Sequence, residues 1–449
     1  MNRTIRRFGA GALLVIALLC PWTRSAGAGI LGITGPTFNL TTGAVSISTP
    51  DGDSVLIWAY GPSGGPVQYP GPTLIVTQGQ TVEVTLTNTL PQPVSIVFPG
   101  QGAVTAMPVA GPTAAGLLAL EANTGGTVKY SFVASQPGTY MYHSGTRPEL
   151  QVEMGLLGAL IVRPTGFDQN DPTKRTAYGH QATAYDDEYL MLLSEMDPNI
   201  HDLVDFGFAD FVDNTTFFPK FWFINGRNAV DTLQWDNVAF LPNQPYSSLV
   251  ITQPGKKVLI RFIGAGRDLH AFHPHGNHAF LMAVDGRMIS SDPTNSPTGP
   301  GPDVATEDYT FTPTPGSTMD AIFSWTSKGL GWDIYGDPTE AGFGHTCNGE
   351  AVNPTPGVID PASGEDCTYH GVRLDSKVVL PGLQDITIGA TYSGSPFLGH
   401  FGELPPGEGG LNPFGAFFFP WHNHNEKTLL NNDIFLGGML TFVLIAPGP

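Results

Sequence analysis

The sequence has few charged residues, and only a minority of those are basic. Charged residues make up 13% of the 449 positions, about half the share of an average globular protein. Lys and Arg number 20 against 39 Asp and Glu, which gives a formal net charge of −19. Such an acidic chain cannot gather phosphates by releasing their counterions, so we expect no nucleic-acid partner.

Long hydrophobic runs and helix-forming patterns are also scarce. After the N-terminal leader described below, no apolar stretch reaches the roughly 20 residues of a transmembrane helix, so we expect no membrane anchor. Turn-forming residues are abundant instead, with 56 Gly and 40 Pro. Hydrophobic residues, at 41%, suffice for a core, which excludes a disordered chain. Many turns between short β-prone runs predict an all-β protein.

The first 28 residues resemble a secretory signal peptide. They contain a basic start with Arg6 and Arg7, an apolar stretch at 11–20 and the cleavage motif Ala26-Gly27-Ala28. The arginine pair is similar to a twin-arginine signal, and an ordinary Sec signal is the alternative. We therefore expect a secreted or periplasmic protein.

Cysteine is nearly absent. Of the three cysteines, Cys20 lies in the predicted signal peptide and only Cys347 and Cys367 remain. These two are predicted to form a disulfide, because exported thiols tend to oxidise. The alternative is a zinc site in which the nearby His345 and His370 complete a four-ligand set.

The β-prone runs form two groups, which predict two β-sandwich domains. The first domain is expected at 29–165 and the second at 188–449, with 166–187 as a polar linker and a Gly/Pro-rich insertion at about 331–413. The predicted strands lie at 73–76, 81–86, 95–98, 138–143 and 158–162, then at 188–193, 257–262, 279–284, 321–325 and 440–445.

Six of the twelve histidines lie in two short stretches, which contain His270, His273, His275 and His278, then His422 and His424. Residues two apart on a β-strand point to the same face, so each His-x-His pair presents two imidazoles on one side. If the two strands are neighbours, four imidazoles converge. Such donors suit Cu, Zn, Ni or Fe, so the sequence predicts a metal site.

Two acidic groups also lie in positions of interest. The Asp-Asp-Glu run at 186–188 is interpreted as the solvated end of the linker, with a cation site as the alternative. Glu149 and Glu153 follow His143 in the sequence. They are interpreted as surface charge, and the alternative is that they line a cleft beside this histidine, where an acid could shuttle protons.

Several motifs resemble those of the multicopper oxidase and copper nitrite reductase superfamily. The matching segments are Tyr69-Pro70-Gly71-Pro72-Thr73, GTYMYHS at 138–144, FINGR at 223–227, HAFHPHG at 270–276, and His422-Asn423-His424 followed by Gly438-Met439. The last two correspond to the family motifs H-P-x-H-x-H-G, from which Ala271 departs, and H-C-H with G-M. The resemblance covers nearly all of residues 30–449. It implies two cupredoxin domains, each a Greek-key β-sandwich, as in the two-domain members.

The copper-ligand motifs depart from the family pattern. The first motif, H-W-H-G, stands as VFPG at 97–100, and the second, H-S-H, stands as His143-Ser144-Gly145. The resemblance therefore implies a copper site at the domain interface with five imidazoles, those of His143, His273, His275, His422 and His424. His278 lies outside this ligand pattern and is interpreted as structural.

The positions of a blue copper site are altered as well. A blue copper centre requires a cysteine thiolate and two histidines. In the second domain Asn423 stands in the cysteine position and Thr428 in a histidine position; in the first domain Ser144 and Gln151 do so. The resemblance therefore implies that no blue copper is bound. His270 keeps a blue-site histidine position and is interpreted as a hydrogen-bonding residue beside the site, with a copper ligand as the alternative.

The resemblance implies an exported copper oxidoreductase with a small-molecule or metal-ion substrate. Without a thiolate to relay electrons, the substrate is expected to bind close to the copper. In two-domain relatives the interdomain site forms between subunits of a homotrimer, which is the assembly expected here. One alternative is a non-catalytic copper-binding or copper-sequestering protein. Another is a full oxidase that recruits His345, His370 or His400 as ligands.

Overall fold

Short strands form two β-sandwiches, which confirms the predicted all-β fold. The computed structural model describes residues 29–328, 334–335, 359–361, 363–366, 398–399 and 415–448. The predicted signal peptide, the predicted Cys347–Cys367 disulfide and most of the predicted insertion lie outside the described residues. No helix within the described part of the chain is long and apolar enough to cross a membrane.

The first sandwich consists of two mixed sheets. One sheet has the order β1-β4-β11-β10 and contains β1 (Ile33–Thr34), β4 (Gly71–Thr77), β10 (Gly138–His143) and β11 (Leu157–Arg163). The other has the order β3-β2-β5-β9-β6 and contains β2 (Thr37–Ser48), β3 (Ser54–Pro62), β5 (Thr81–Thr87), β6 (Thr105–Ala110) and β9 (Thr127–Val133). A separate short ladder joins β7 (Thr113–Ala115) to β8 (Leu120–Ala122).

Period-two alternation explains how the first sandwich closes. In β5, Val82, Val84 and Leu86 are fully buried, while the threonines between and after them are more exposed. Such strands bury one face, so two sheets stack through their apolar sides. Val84 belongs to the same apolar core as Tyr130 of β9 and Leu160 of β11.

The second sandwich holds the remaining strands. Its larger sheet contains β12 (Asp187–Met196), β13 (Phe221–Ile224), β15 (Lys257–Gly264), β17 (Ala279–Val284), β18 (Arg287–Met288), β19 (Thr306–Asp308) and β20 (Thr318–Ser324). The smaller sheet, with the order β14-β22-β21-β16, contains β14 (Val250–Thr252), β16 (Phe272–Pro274), β21 (Phe417–Asn423) and β22 (Leu440–Ile445). The two α-helices among the described residues are α1 (Pro148–Gln151) and α2 (Pro198–Asp205).

Aromatic side chains fill the core of the second sandwich. The rings of Phe262 and Phe311 stack with centroids 5.1 Å apart, and Trp421 packs edge-on against Phe323 at the same distance. The indole of Trp421 also donates a hydrogen bond of 2.9 Å to the carbonyl of His275. This bond ties β21 to the segment that follows β16, and both segments carry histidines of the predicted site.

The predicted strands agree closely with the structure except at one place. Strands β10, β17 and β22 have the predicted bounds. The strand predicted at 95–98 was wrong, because the chain there forms only isolated bridges, Val94 with Ala122 and Val97 with His143. This segment is a loop that packs against the core. Its residues are mostly apolar because they are buried, although they belong to no strand.

The segment predicted as a linker packs against the second sandwich. Tyr178 and Tyr185 are buried together with Leu259 and Met282. Glu188 is also buried, so its interpretation as the solvated end of a linker was wrong. Its carboxylate accepts hydrogen bonds from Arg163 at 2.5 and 2.6 Å and from Arg261 at 2.6 Å. This ion-paired group joins β11 of the first sandwich to β12 and β15 of the second.

Candidate metal centre

Strand alternation places four histidines on the outer side of the smaller sheet. In β16 the side chains of Phe272 and Pro274 are buried and His273 is partly exposed, and His275 is also partly exposed. In β21, Trp421 and Asn423 are fully buried, while the intervening His422 is partly exposed. Since side chains alternate across a strand, the His-x-His pairs share the face opposite the aromatic core.

The two histidine pairs meet because β16 and β21 are antiparallel neighbours. His273 lies directly opposite His422 in the register. The ring of His273 has its centroid 4.5 Å from that of His275 and 4.7 Å from that of His424. The rings of His275 and His422 are 5.1 Å apart, and those of His422 and His424 are 5.0 Å apart. The condition that the sequence left open, that the strands be neighbours, is met.

The hydrogen bonds of these rings leave specific nitrogen atoms available. The Nδ1 atoms of His273 and His422 bond to the carbonyl oxygens of Tyr309 and Asn423, so the Nε2 atom of each ring is the candidate donor. Nε2 of His275 and Nε2 of His422 are 3.0 Å apart. Because metal–imidazole bonds are about 2.0 Å long, two ligands of one ion lie about 3 Å apart, so this pair fits a shared metal.

The full four-ring set is looser than this pair. Among the described residues, no three His, Cys, Asp or Glu side chains are arranged to hold a metal ion together. The His424 ring points toward Glu426, with Nδ1 3.7 Å from the carboxylate oxygen. The rings of His273 and His424 would have to rotate to join the His275–His422 pair. The chemistry of the donor set suits a metal, and only that pair already has ligand spacing.

Two histidines of the cluster, His273 and His422, favour their neutral form. Burial lowers the pKa of His273 and His422 below the usual 6.5, and the neighbouring His424 lowers both further. Burial likewise lowers the pKa of His143. A neutral imidazole is the form that binds a metal. At neutral pH these side chains are therefore in the ligand form.

The fifth predicted ligand, His143, lies apart from the other four within the chain. It is the last residue of β10, and its backbone pairs with that of Val97. Its Nδ1 atom is 2.9 Å from the carbonyl oxygen of Ser144, which again leaves Nε2 available. Among the described residues its ring contacts none of the four clustered imidazoles.

In the second domain the blue-copper position is filled by hydrogen-bonded side chains. Asn423, which stands in the cysteine position, is fully buried, and its Nδ2 atom lies 3.0 Å from Nδ1 of His270. The same Nδ2 atom is 3.5 Å from the sulfur of Met439. Nε2 of His270 is 2.6 Å from a carboxylate oxygen of Glu195. Thr428, in the place of a histidine, donates instead to the carbonyl of Asn425.

In the first domain, the residues that the resemblance aligns with a blue site form a neutral hydrogen-bonded pair. Ser144 donates a hydrogen bond of 2.6 Å to the side-chain oxygen of Gln151, and both residues are buried. Gln151 donates in turn to the carbonyl of Pro93. At Gly145, in the place of the lost second histidine, an added Cβ would lie 2.7 Å from Val97. Ser144 and Gln151 thus satisfy each other, and Gly145 has no room for a larger side chain unless Val97 moves.

An open pocket of about 370 Å³ lies beside one of the two histidine pairs, that of β16. It is lined by His273 and His275 and also by His278 and Tyr309, which sequence reasoning did not place at the site. The Tyr309 ring lies edge-on to His273 with centroids 5.8 Å apart. Tyr309 follows β19, which pairs with β17. No motif in the sequence marked this tyrosine, because its position depends on that pairing.

The acids near His143 have different environments. Glu149 is exposed, which agrees with its interpretation as surface charge. For Glu153 that interpretation was wrong, because its side chain is buried. One of its carboxylate oxygens accepts the backbone N–H of Asp197 at 2.7 Å, and the other lies 3.5 Å from Nε of Arg267. Glu153 therefore fixes loops between the domains instead of lining an open cleft.

Comparisons with known proteins agree with this architecture. Residues 64–166 match the family model of the multicopper oxidases. The blue copper oxidase from Nitrosomonas europaea superimposes with a TM-score of 0.52 over 91% of this chain and 85% of that one, at 17% identity. An identity this low shows the shared fold alone. The fold is therefore that of the cupredoxin domains of multicopper oxidases.

Curated relatives match shorter parts of the chain. The L-ascorbate oxidase of Nicotiana tabacum is 34% identical over 150 residues, which are 33% of this chain and 22% of that protein. The "Probable nitrite reductase-hydroxylamine oxidoreductase fusion protein" of Kuenenia stuttgartiensis is 27% identical over 238 residues, 52% of this chain and 24% of that protein. The matches thus span about a quarter or less of these relatives. Together with the family match, they confirm the resemblance to the multicopper oxidase superfamily.

Proposed function

We propose that this protein is an exported copper-dependent oxidoreductase whose copper is held by histidines alone. The observation that carries the proposal is the cluster of His273, His275, His422 and His424, with two Nε2 atoms already 3.0 Å apart. Membership of the multicopper oxidase superfamily supports copper as the metal. Export rests on the signal-like residues 1–28.

Copper bound here would supply one-electron redox chemistry. Burial favours the neutral form of His273 and His422, and the backbone carbonyls of Tyr309 and Asn423 engage their Nδ1 atoms, which leaves Nε2 as the metal-binding nitrogen. Asn423 and Ser144 stand where a thiolate would be needed, so no electron relay leads to a remote substrate. The substrate, a small molecule or a metal ion, therefore binds in the open pocket beside Tyr309.

The first prediction concerns the spectrum. The mature protein loaded with copper is expected to lack the intense blue thiolate absorption band, since neither blue-copper position has a cysteine. Metal analysis together with electron paramagnetic resonance should show copper with a nitrogen-ligand signature. Oxidation of small-molecule reductants by the loaded protein would then separate an enzyme from a storage protein. A blue sample, or a chain that binds no copper, would refute the proposed site.

We also propose that His143 of a second copy completes the site. Within one chain this histidine has a free Nε2 atom but no contact with the four-ring cluster. Leu117 and Leu118 lie exposed near Gly145, at 96% and 56%. Exposed apolar residues of this kind favour burial by a partner. The trimer of the two-domain relatives would provide that partner.

The second prediction tests this sharing of ligands. His143→Ala is expected to weaken copper binding roughly 100-fold, because one ligand contributes about 3 kcal/mol. Isothermal titration with copper measures the change, and His278→Ala is the matched control that removes a pocket imidazole. If the site is shared, co-refolding His143→Ala chains with chains lacking His422 and His424 should restore some full-affinity sites. A mixture no better than its separate components would show that the copies share no ligands.

A further inference from the structure

Glu195 is a buried acid near the end of β12 in the second sandwich. It lies on β12, and one of its carboxylate oxygens accepts the backbone N–H groups of Arg267 at 2.5 Å and Asp268 at 3.0 Å. The other oxygen is 2.6 Å from Nε2 of His270, which is also buried. A buried carboxylate is costly unless its oxygens are hydrogen-bonded. Glu195 directs all three of these bonds to the loop that leads into β16.

The orientation of Asn423 fixes the proton positions in this network. Its Oδ1 atom accepts the backbone N–H of Asn425 at 3.2 Å, so its Nδ2 atom faces His270. Nδ2 can only donate, so Nδ1 of His270 must be the acceptor. The proton of the His270 ring then lies on Nε2 and is donated to Glu195.

The network connects the two segments that carry the clustered histidines. His270 precedes His273 by one short turn, and Asn423 lies between His422 and His424 in sequence. A backbone bond of 2.8 Å from His424 N–H to the carbonyl of Ala271 joins the same two segments. Partners behind metal-binding histidines orient the ligands, and their loss typically weakens metal binding 10- to 100-fold.

We infer that Glu195 is a positioning residue for the copper site. It acts through the His270–Asn423 pair, which occupies the position of the lost blue copper and holds both histidine-bearing segments in place. The inference rests on the proposed function, because it concerns the same four imidazoles. It assigns a role to a residue that no motif of the sequence singled out.

A single isosteric change disturbs the whole network. In Glu195→Gln, the amide oxygen must remain on the backbone N–H groups of Arg267 and Asp268, so the NH2 group faces Nε2 of His270. The ring must then carry its proton on Nδ1, where it meets the NH2 group of Asn423. Two donors face each other, and Asn423 can relieve the conflict only by giving up its bond to Asn425.

The third prediction follows from this conflict. Glu195→Gln is expected to lower copper affinity 10- to 100-fold without changing the amount bound at saturation, and to alter the paramagnetic resonance parameters. Asp197→Asn is the matched control, because the side chain of Asp197 is a buried acid that accepts N–H groups of Asn199 and Phe218 and, among the described residues, bonds to neither His270 nor Asn423. The double variant Glu195→Gln/Asn423→Asp should recover most of the affinity, because the aspartate accepts the proton on Nδ1.

Each result decides the inference. Weakened binding in the single variant and recovery in the double variant support it. The inference is also supported if Glu195→Gln fails to fold but the double variant folds and binds copper. Equal affinity in Glu195→Gln and Asp197→Asn overturns it, as does an absence of recovery or a failure of both Glu195 variants to fold. An unaltered chain that binds no copper would instead refute the proposed function.

Discussion

A variant in which His422 and His424 are both replaced by alanine is expected to lose stoichiometric copper binding. Four-ligand protein sites bind their metal with about 10–16 kcal/mol, so two ligands contribute roughly 6 kcal/mol, or about 10⁴-fold in affinity. The loss includes Nε2 of His422, which lies 3.0 Å from Nε2 of His275 and forms the only pair with ligand spacing in the described cluster. Metal analysis after gel filtration measures the bound copper.

The fold should survive this double change. The side chains of His422 and His424 lie on the outer face of the sheet, while Trp421 and Asn423 hold β21 in the core. The thermal midpoint should therefore stay close to that of the unaltered chain. His278→Ala, which removes an imidazole from the same pocket, should retain its copper. Full copper content in the double variant would place the site elsewhere in the chain.

Glu188→Gln is expected to destabilise the protein by about 3–5 kcal/mol. Glu188 is fully buried between two buried guanidinium groups, those of Arg163 and Arg261. Neutralising the acid leaves these charges, among the described residues, with Asp320 as the one remaining buried counter-ion, 3.3 Å from Arg261. Chemical denaturation measures the free energy of unfolding. Glu83→Gln, at a half-exposed ion pair with Lys129, is the matched control and should cost less than about 1 kcal/mol.

The contribution of Glu188 to the stability of the fold is expected to depend on pH. Burial alone would raise the pKa of Glu188, but Arg163 and Arg261 lower it from 4.5 to about 2. Because the folded-state pKa is depressed, this acid stabilises the fold fully above pH 4.5, and the contribution disappears as the pH falls toward 2. The pKa of Asp320 is raised instead, because its burial outweighs the attraction of Arg261. The stability difference between the unaltered chain and Glu188→Gln should shrink over this range; a constant difference would contradict the ion-pair account.

Most strands could be predicted from the sequence because their signal is local. Period-two alternation and the flanking turns located β10, β17 and β22. The same reasoning failed at 95–98, where an apolar run is buried without a ladder partner. It also failed at Glu188 and Glu153, because an acid looks solvated until its partners in the fold are known: two arginines for Glu188, and Arg267 with the backbone of Asp197 for Glu153.

For the candidate site, the sequence supplied the residue types and the structure supplied their partners. The His-x-His spacing predicted which side chains share a face, and the rings of the two pairs do lie together. No sequence motif marks Tyr309 beside the pocket or Glu195 behind His270. Both reach the site through strand pairing and packing. The ligand assignment itself stays a prediction until metal is measured.

The sequence alone determined that the fold is all-β and that neither blue-copper position has a thiolate, because alternation and residue identity are local properties. Only the tertiary structure decided that His275 and His422, 147 residues apart, bring their Nε2 atoms to 3.0 Å. It also decided that His143 stays apart from them and that Glu195 lies behind them. These relations depend on which strands pair and which faces pack, and they arise when the apolar faces of distant segments are buried together.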